Sequence, residues 1–284
     1  KNGGAPRGCM SLAMINMLVR KLISALLIVC ACLSTTAQGM GIMSKPLKAK
    51  DFFEGQQLVI AEGIAKNDLS ALKATQDLDL LSRAGNKELT LMWFAADNVR
   101  PNFEAIKILV EKGIDPSTQT LRPFGPMLHY SLKQQDLRYL TTLLDGGLSV
   151  DYKYQKRPLI MLAAGPHGSL AHVKLLVERG ADIHVKDRLG DNALTESLDS
   201  DKTDIAKYLI ELGADTHNVN YNGVTVSRQV ELTLNRANPN TDFYREYEDI
   251  REMLIQRGVK FPAPSLEEMK EWRRSQGLYV IGDD

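Results

Sequence analysis

The sequence predicts an all-α repeat solenoid, and three observations carry the prediction. Five similar phrases end on glycine: LVEKGID at Gly113, LLDGGLS at Gly147, LVERGAD at Gly180, LIELGAD at Gly213 and LIQRGVK at Gly258. The first three intervals are 34, 33 and 33 residues, and the last is 45. Apolar segments keep the same register ahead of them. Residues 90–96 (TLMWFAA) and 158–164 (PLIMLAA) lie 68 apart, with 126–132 (PMLHYSL) between them. Finally, Ser265-Leu-Glu-Glu268 is a capping box that opens a closing helix. A fixed period of 20–50 residues marks units that bury their apolar faces by stacking on one another.

Each element follows from its residues. Residues 58–80 show apolar positions at helical spacing with a break at Lys66-Asn67-Asp68, which predicts a degenerate first repeat. Five clear repeats then run from about Gly85 to Gly258. In each closing phrase the Leu-Val or Leu-Leu pair faces inward on the last helical turn. The glycine takes the left-handed C-cap. Asp115, Asp182 and Asp215 open the turn that follows, and Asn192 and Thr225 stand at N-cap positions of the next helices. Ala95, Ser131, Ala163 and Ser197 recur where two helices must approach closely. The long last interval predicts a repeat whose two helices and loop are lengthened by an insertion at 232–247.

These segments resemble ankyrin repeats, whose inner helix opens with Thr-Pro-Leu-His-x-Ala-Ala. The departures are that only Leu128-His129 keeps the Leu-His pair, and that Pro126 and Pro158 take the slot of the Thr. The resemblance implies about five repeats of helix–turn–helix plus a β-hairpin finger, with a degenerate N-terminal repeat and a C-terminal capping helix. It also implies that His129 hydrogen-bonds between repeats.

The N-terminal part carries a different signal. Met17-Leu-Val-Arg-Lys21 is a short basic start, and an apolar run of about ten residues follows from Leu22. A membrane-spanning helix needs roughly 20. The run ends in Val29-Cys30-Ala31-Cys32, which resembles a bacterial lipobox and makes Cys32 the expected lipidation site. Leu33 after it favours the outer membrane, facing the periplasm. Ordinary signal cleavage after Thr35-Thr36-Ala37 is the rival reading, and initiation at Met40 or Met43 would give a cytosolic form. The expected organisation is an upstream or non-native segment at 1–16, a lipoprotein signal peptide at 17–32 and a tether at 33–56. The ankyrin-repeat domain follows at 57–260, and a capping helix and tail at 261–284.

Composition narrows the function. Cys9, Cys30 and Cys32 are the three cysteines, so the array itself has none and depends on stacked apolar faces. The chain is 25% charged with 35 basic and 35 acidic residues, and no basic stripe emerges, which argues against a nucleic-acid partner. No nucleophile elbow, phosphate loop or dinucleotide fingerprint occurs. His167 and His172 are five apart without a nearby third ligand, a poor metal site. The expectation is therefore a non-enzyme with no cofactor and no metal, touching membrane only through its lipid anchor.

A binding surface remains. Ankyrin arrays bind proteins through a concave face of finger tips and inner helices. By repeat register, the expected partner-binding residues are Trp93, Phe94, Arg122, Phe124, Tyr130, Tyr152, Tyr154, Lys186, Asp187, Arg188, Tyr221 and Asn222. Trp93 and Phe94 also suit packing between repeats. Phe243, Tyr244 and Tyr247 in the insertion suit either role. The export signal and the degenerate array together resemble immunity lipoproteins paired with type VI secretion phospholipase (lipase) effectors. That resemblance implies a cognate toxin bound and occluded at the envelope. A periplasmic scaffold for an enzyme and a secreted effector engaging host proteins are the alternatives.

Overall fold

Five helices of the computed structural model end in the same hydrogen-bonded turn, and the glycines are its hinge. Residues 46–96 and 99–283 are described. Within them, Lys48–Ala96 and the chain from Pro101 onward form one compact unit. Cys32, the signal region and the internal starts Met40 and Met43 lie outside the described residues.

An N-terminal group comprises α1 (Gly55–Lys66), α2 (Ser70–Ala74) and α3 (Leu78–Ser82). Asn67 in the left-handed region ends α1. Five helix pairs follow: α4 (Leu91–Ala95) with α5 (Phe103–Glu111), α6 (Met127–Lys133) with α7 (Arg138–Asp145), and α8 (Leu159–Ala164) with α9 (Leu170–Glu178). The last two are α10 (Ala193–Asp199) with α11 (Thr203–Glu211), and α12 (Val226–Arg236) with α13 (Asp242–Gln256). Helix α14 (Leu266–Ser275) closes the array. The insertion lengthens its pair as expected, since α12 has 11 residues and α13 has 15, against 7 and 9 in the pair before.

The glycine turn has one geometry in all five pairs. Gly113, Gly147, Gly180, Gly213 and Gly258 have φ between 82° and 102°. The amide after each glycine donates back to a leucine carbonyl at 2.9–3.0 Å: Ile114 to Leu109, Leu148 to Leu143, Ala181 to Leu176, Ala214 to Leu209 and Val259 to Leu254. Each glycine amide also donates to the carbonyl three residues earlier, which completes a Schellman motif. The partner side chains are buried at both ends of these bonds. Helix ends otherwise leave carbonyls unpaired. Here the chain satisfies them and reverses direction at once.

Fingers connect the pairs. Strands β1 (Thr120–Leu121) and β2 (Gly125–Pro126) form one hairpin, and β3 (Lys153–Tyr154) and β4 (Arg157–Pro158) the next. The third finger turns through Asp187, whose amide donates to Asp191 O at 2.9 Å, and the fourth is closed by a Val219–Thr225 bridge. Inner-helix starts follow the residue chemistry. Thr90, Asn192 and Thr225 cap their helices through side-chain oxygens, with a full capping box between Asn192 and Thr195. Pro126 and Pro158 supply no such cap. Ala95, Ser131, Ala163 and Ser197 are all buried between helices. The hydroxyls of Ser131 and Ser197 turn back to Leu128 O and Leu194 O at the same 2.7 Å, an exact repeat of local geometry two units apart.

Gly213→Ala should cost about 1–2 kcal/mol, because the strain is in the backbone. Space is no obstacle, as nothing lies within 4 Å of an added Cβ. Urea unfolding measures it, and an unchanged midpoint would contradict the assignment.

Candidate protein-binding face

The finger face is built by residues that reach from one repeat to the next, and most of its aromatics serve that purpose first. Trp93 is 5% exposed and Phe94 4%. The Trp93 indole donates to Gln119 O at 2.9 Å, and Phe94 meets Phe53 edge-on at 5.5 Å. Both were candidates for partner contact; both are packing residues, because the first finger and the N-terminal segment close over α4. Tyr152 corrects in the same way. Its hydroxyl bonds Ser117 Oγ at 2.7 Å and donates to Asp115 Oδ2 at 2.9 Å, one repeat earlier. Asp187 is a turn former, its Oδ1 accepting from the amides of Leu189 and Asp191.

At the far end, the C-terminal segment occupies the last finger. Ile281 N–H donates to Tyr221 O at 3.0 Å, just as Tyr221 N–H donates to Leu189 O at 2.9 Å. The tail thus takes the place of a further finger. Arg273 fixes it: the guanidinium donates to Val219 O and Tyr279 O at 2.7 and 2.8 Å and lies 4.9 Å from the Tyr221 ring centre. Arg273 is 6% exposed, although its helix is rich in charged residues. Tyr221 and its neighbour Asn222 are consequently half-buried.

What stays open is the stretch between these ends. Arg122, Lys186 and Arg188 are exposed, and Phe124, Tyr130 and Tyr154 are half-buried. Phe124 and Tyr130 both rest on Trp93, at 5.6 and 4.9 Å between ring centres. Lys186 sits 3.5 Å from Asp215 of the next repeat. A cavity of about 520 Å³ is lined by His129, Tyr154, Arg157, Arg188, Glu196 and Asp199, among others. Arg157 on β4 pairs with Glu196 on α10 across its floor. Gly165 makes room for that carboxylate, since a Cβ there would stand 2.7 Å from Glu196 Oε1. Arg157, Asp191 and Asp199, which sequence reasoning missed, line this cavity with Glu196. Burial raises the carboxyl pKa values of Asp191, Glu196 and Asp199, Arg157 opposing it at Glu196.

The inter-repeat hydrogen bond implied for His129 is found at His172. Its Nε2 meets Ser131 O at 3.2 Å and its Nδ1 meets Ser169 Oγ at 2.8 Å. A neutral ring satisfies both, with Nε2–H donating and Nδ1 accepting. His129 instead stands edge-on to Tyr154 at 4.7 Å. Among the described residues, no group of three His, Cys, Asp or Glu side chains is arranged to hold a metal ion.

The ankyrin repeats (3 copies) family matches residues 91–187, from α4 into the third finger. The ankyrin repeat domain of Bcl-3 superposes with a TM-score of 0.52 at 19% identity, covering 73% of this chain and 89% of that one. The chain has the ankyrin-repeat fold. Its array is 30% identical over 144 residues to Protein PhlB of Serratia liquefaciens, covering 50% of this chain and 62% of that protein. It is 48% identical over 56 residues to human protein phosphatase 1 regulatory subunit 27, covering 20% of this chain and 36% of that protein. The chain spans less than two thirds of the curated relatives it matches. Ankyrin repeats imply protein–protein interaction.

His172 makes array stability depend on pH. Burial is the main cause that lowers its pKa below 6.5, with backbone hydrogen bonds to Ser131 and Gln134 opposing. The unfolded chain therefore takes up this proton first. The stabilisation is complete above about pH 6.5 and is lost as pH falls toward the lower folded value. Thermal melts of wild type and His172→Gln at about pH 7.5 and 5.5 test this. The variant should show the smaller difference between the two pH values; an equal difference would refute the role.

Proposed function

We propose that this chain is a non-catalytic binding module that grips one protein partner in the groove between its fingers and inner helices. The observation that carries this reading is the cavity of about 520 Å³ lined by residues of two successive fingers, Tyr154 from one and Arg188 from the next. Tyrosine and arginine are frequent hot-spot residues, and a well-fitted groove needs few of them. An enzyme partner is favoured by the likeness to a protein named as a phosphatase regulatory subunit. A partner held this way is inhibited by occlusion, which requires shape and no chemistry from the array.

With a lipobox-like Val29-Cys30-Ala31-Cys32, the array is tethered through Cys32 at the periplasmic face of the outer membrane. There it neutralises an incoming phospholipase effector of type VI secretion before membrane lipid is hydrolysed. The test is a challenge of a deletion strain by a sibling that carries the secretion system. The deletion strain should be killed, and a plasmid copy should rescue it. Tyr154→Ala with Arg188→Ala should abolish rescue while leaving the melting temperature unchanged. Survival of the deletion strain alongside its parent would refute the immunity role, and full rescue by the variant would refute the groove.

A further inference from the structure

The groove does not stop at the cavity already described. A second cavity of about 430 Å³ is lined by Leu198, Asp199, Gln229, Leu232, Arg236 and Phe243, among others. Asp199 belongs to both, so it stands at their junction. Asp191 lies with it in the first cavity, and the Arg157 charge acts on Asp199 from the Glu196 pair. Asp199 accepts from Gln229 Nε2 at 2.7 Å, and Asp191 accepts from Asn220 Nδ2 at 3.1 Å. Both partners are neutral amides. Among the described residues, neither carboxylate has a cation at ion-pair distance, whereas Glu196 has Arg157 and Asp215 has Lys186.

The other oxygen acceptor at the junction is unsatisfied. Gln229 Oε1 is fully buried and has no hydrogen-bond partner. An unpaired buried acceptor is costly, about 1–3 kcal/mol, and it sits on the side chain that already bonds Asp199. A donor arriving here meets the exposed Asp199 carboxylate. The Asp199 charge also repels Asp191 and Glu196, and that repulsion adds to the effect of burial on their carboxyls. A cation on Asp199 relieves that repulsion. The rim carries the opposite sign, since Lys156, Arg188 and Arg236 are exposed around the groove. A polycationic ligand is repelled there, so the pattern suits one basic side chain in a largely neutral segment. Beyond the junction, Leu232 and Phe243 are 38% and 37% exposed, large apolar side chains lining the second cavity.

We propose that the groove binds an extended segment of the partner that places one arginine or lysine on Asp199 and Asp191 and an apolar neighbour on Leu232 and Phe243. This deepens the reading of the finger face as a protein-binding surface and rests on it. Charge complementarity at the floor selects the cation, and the exposed apolar wall selects its neighbour.

The probe is an acetylated, amidated fluorescent peptide, Ser-Leu-Ser-Arg-Ser-Leu-Ser, compared with the same peptide carrying citrulline for arginine. Citrulline keeps the shape and removes the charge. Anisotropy titration of the full chain should show the arginine peptide binding about tenfold more tightly, a difference of about 1.4 kcal/mol. Asp191→Asn with Asp199→Asn should remove that preference without lowering the melting temperature, because it replaces partly buried charges by neutral isosteres. Phe243→Ser should weaken both peptides alike. Equal binding of the two peptides, no binding of either, or a preference that survives the Asn substitutions would overturn the proposal. These outcomes are separate from the strain challenge. Peptide selectivity can fail while the array still protects, and the array can fail to protect while the arginine preference stands.

Discussion

The Schellman turn at each closing glycine is the constraint on which the rest of the molecule depends. It satisfies the end carbonyls of an outer helix and buries a leucine against the next apolar side chain. It also starts the chain back toward the opposite face. Because the turn is the same five times, each outer helix ends in the same backbone geometry, and four of the five turns lead into a finger. In a solenoid each unit contacts only its neighbours, so a constant turn is the means by which distant fingers come to share one face.

Between the turns, neighbouring repeats are tied by polar side chains that look, in isolation, like surface groups. Tyr152 reaches Asp115 and Ser117, His172 reaches Ser131, and Arg157 reaches Glu196. Each link crosses a single repeat boundary. Beyond the last helix pair the C-terminal segment supplies such links, with Ile281 continuing the bonding of Leu189 and Tyr221 and Arg273 pinning the arrangement. The middle of the face is left as the open part, with Tyr154, Arg188 and the acidic floor around Asp199.

This division explains what could be read from the sequence. The glycines were legible because a left-handed backbone position excludes most other residues, and the caps Asn192, Thr225 and Ser265 because few side chains satisfy a free N–H. The register placed each finger correctly. Exposure on a finger was not legible, because it depends on a neighbour some 30 to 60 positions away. Tyr152 and Tyr154 are two residues apart on one finger, yet one is bonded into the previous repeat and the other lines the groove. Arg273 was hidden for a related reason. On a helix rich in Glu, Lys and Arg, one inward-pointing charge is distinguishable only once its acceptors, Val219 O and Tyr279 O, are in place.

Amide hydrogen exchange tests the central claim most directly, by comparing the amides that follow the five glycines with those at the finger tips. If the Schellman turns hold the array together, the amides of Leu148, Ala181 and Ala214 exchange only with unfolding of the stacked repeats, while those of Arg122 and Lys156 exchange far faster. If the turn amides exchange as rapidly as the finger tips, the glycine turns are followers of the stacking and not its cause.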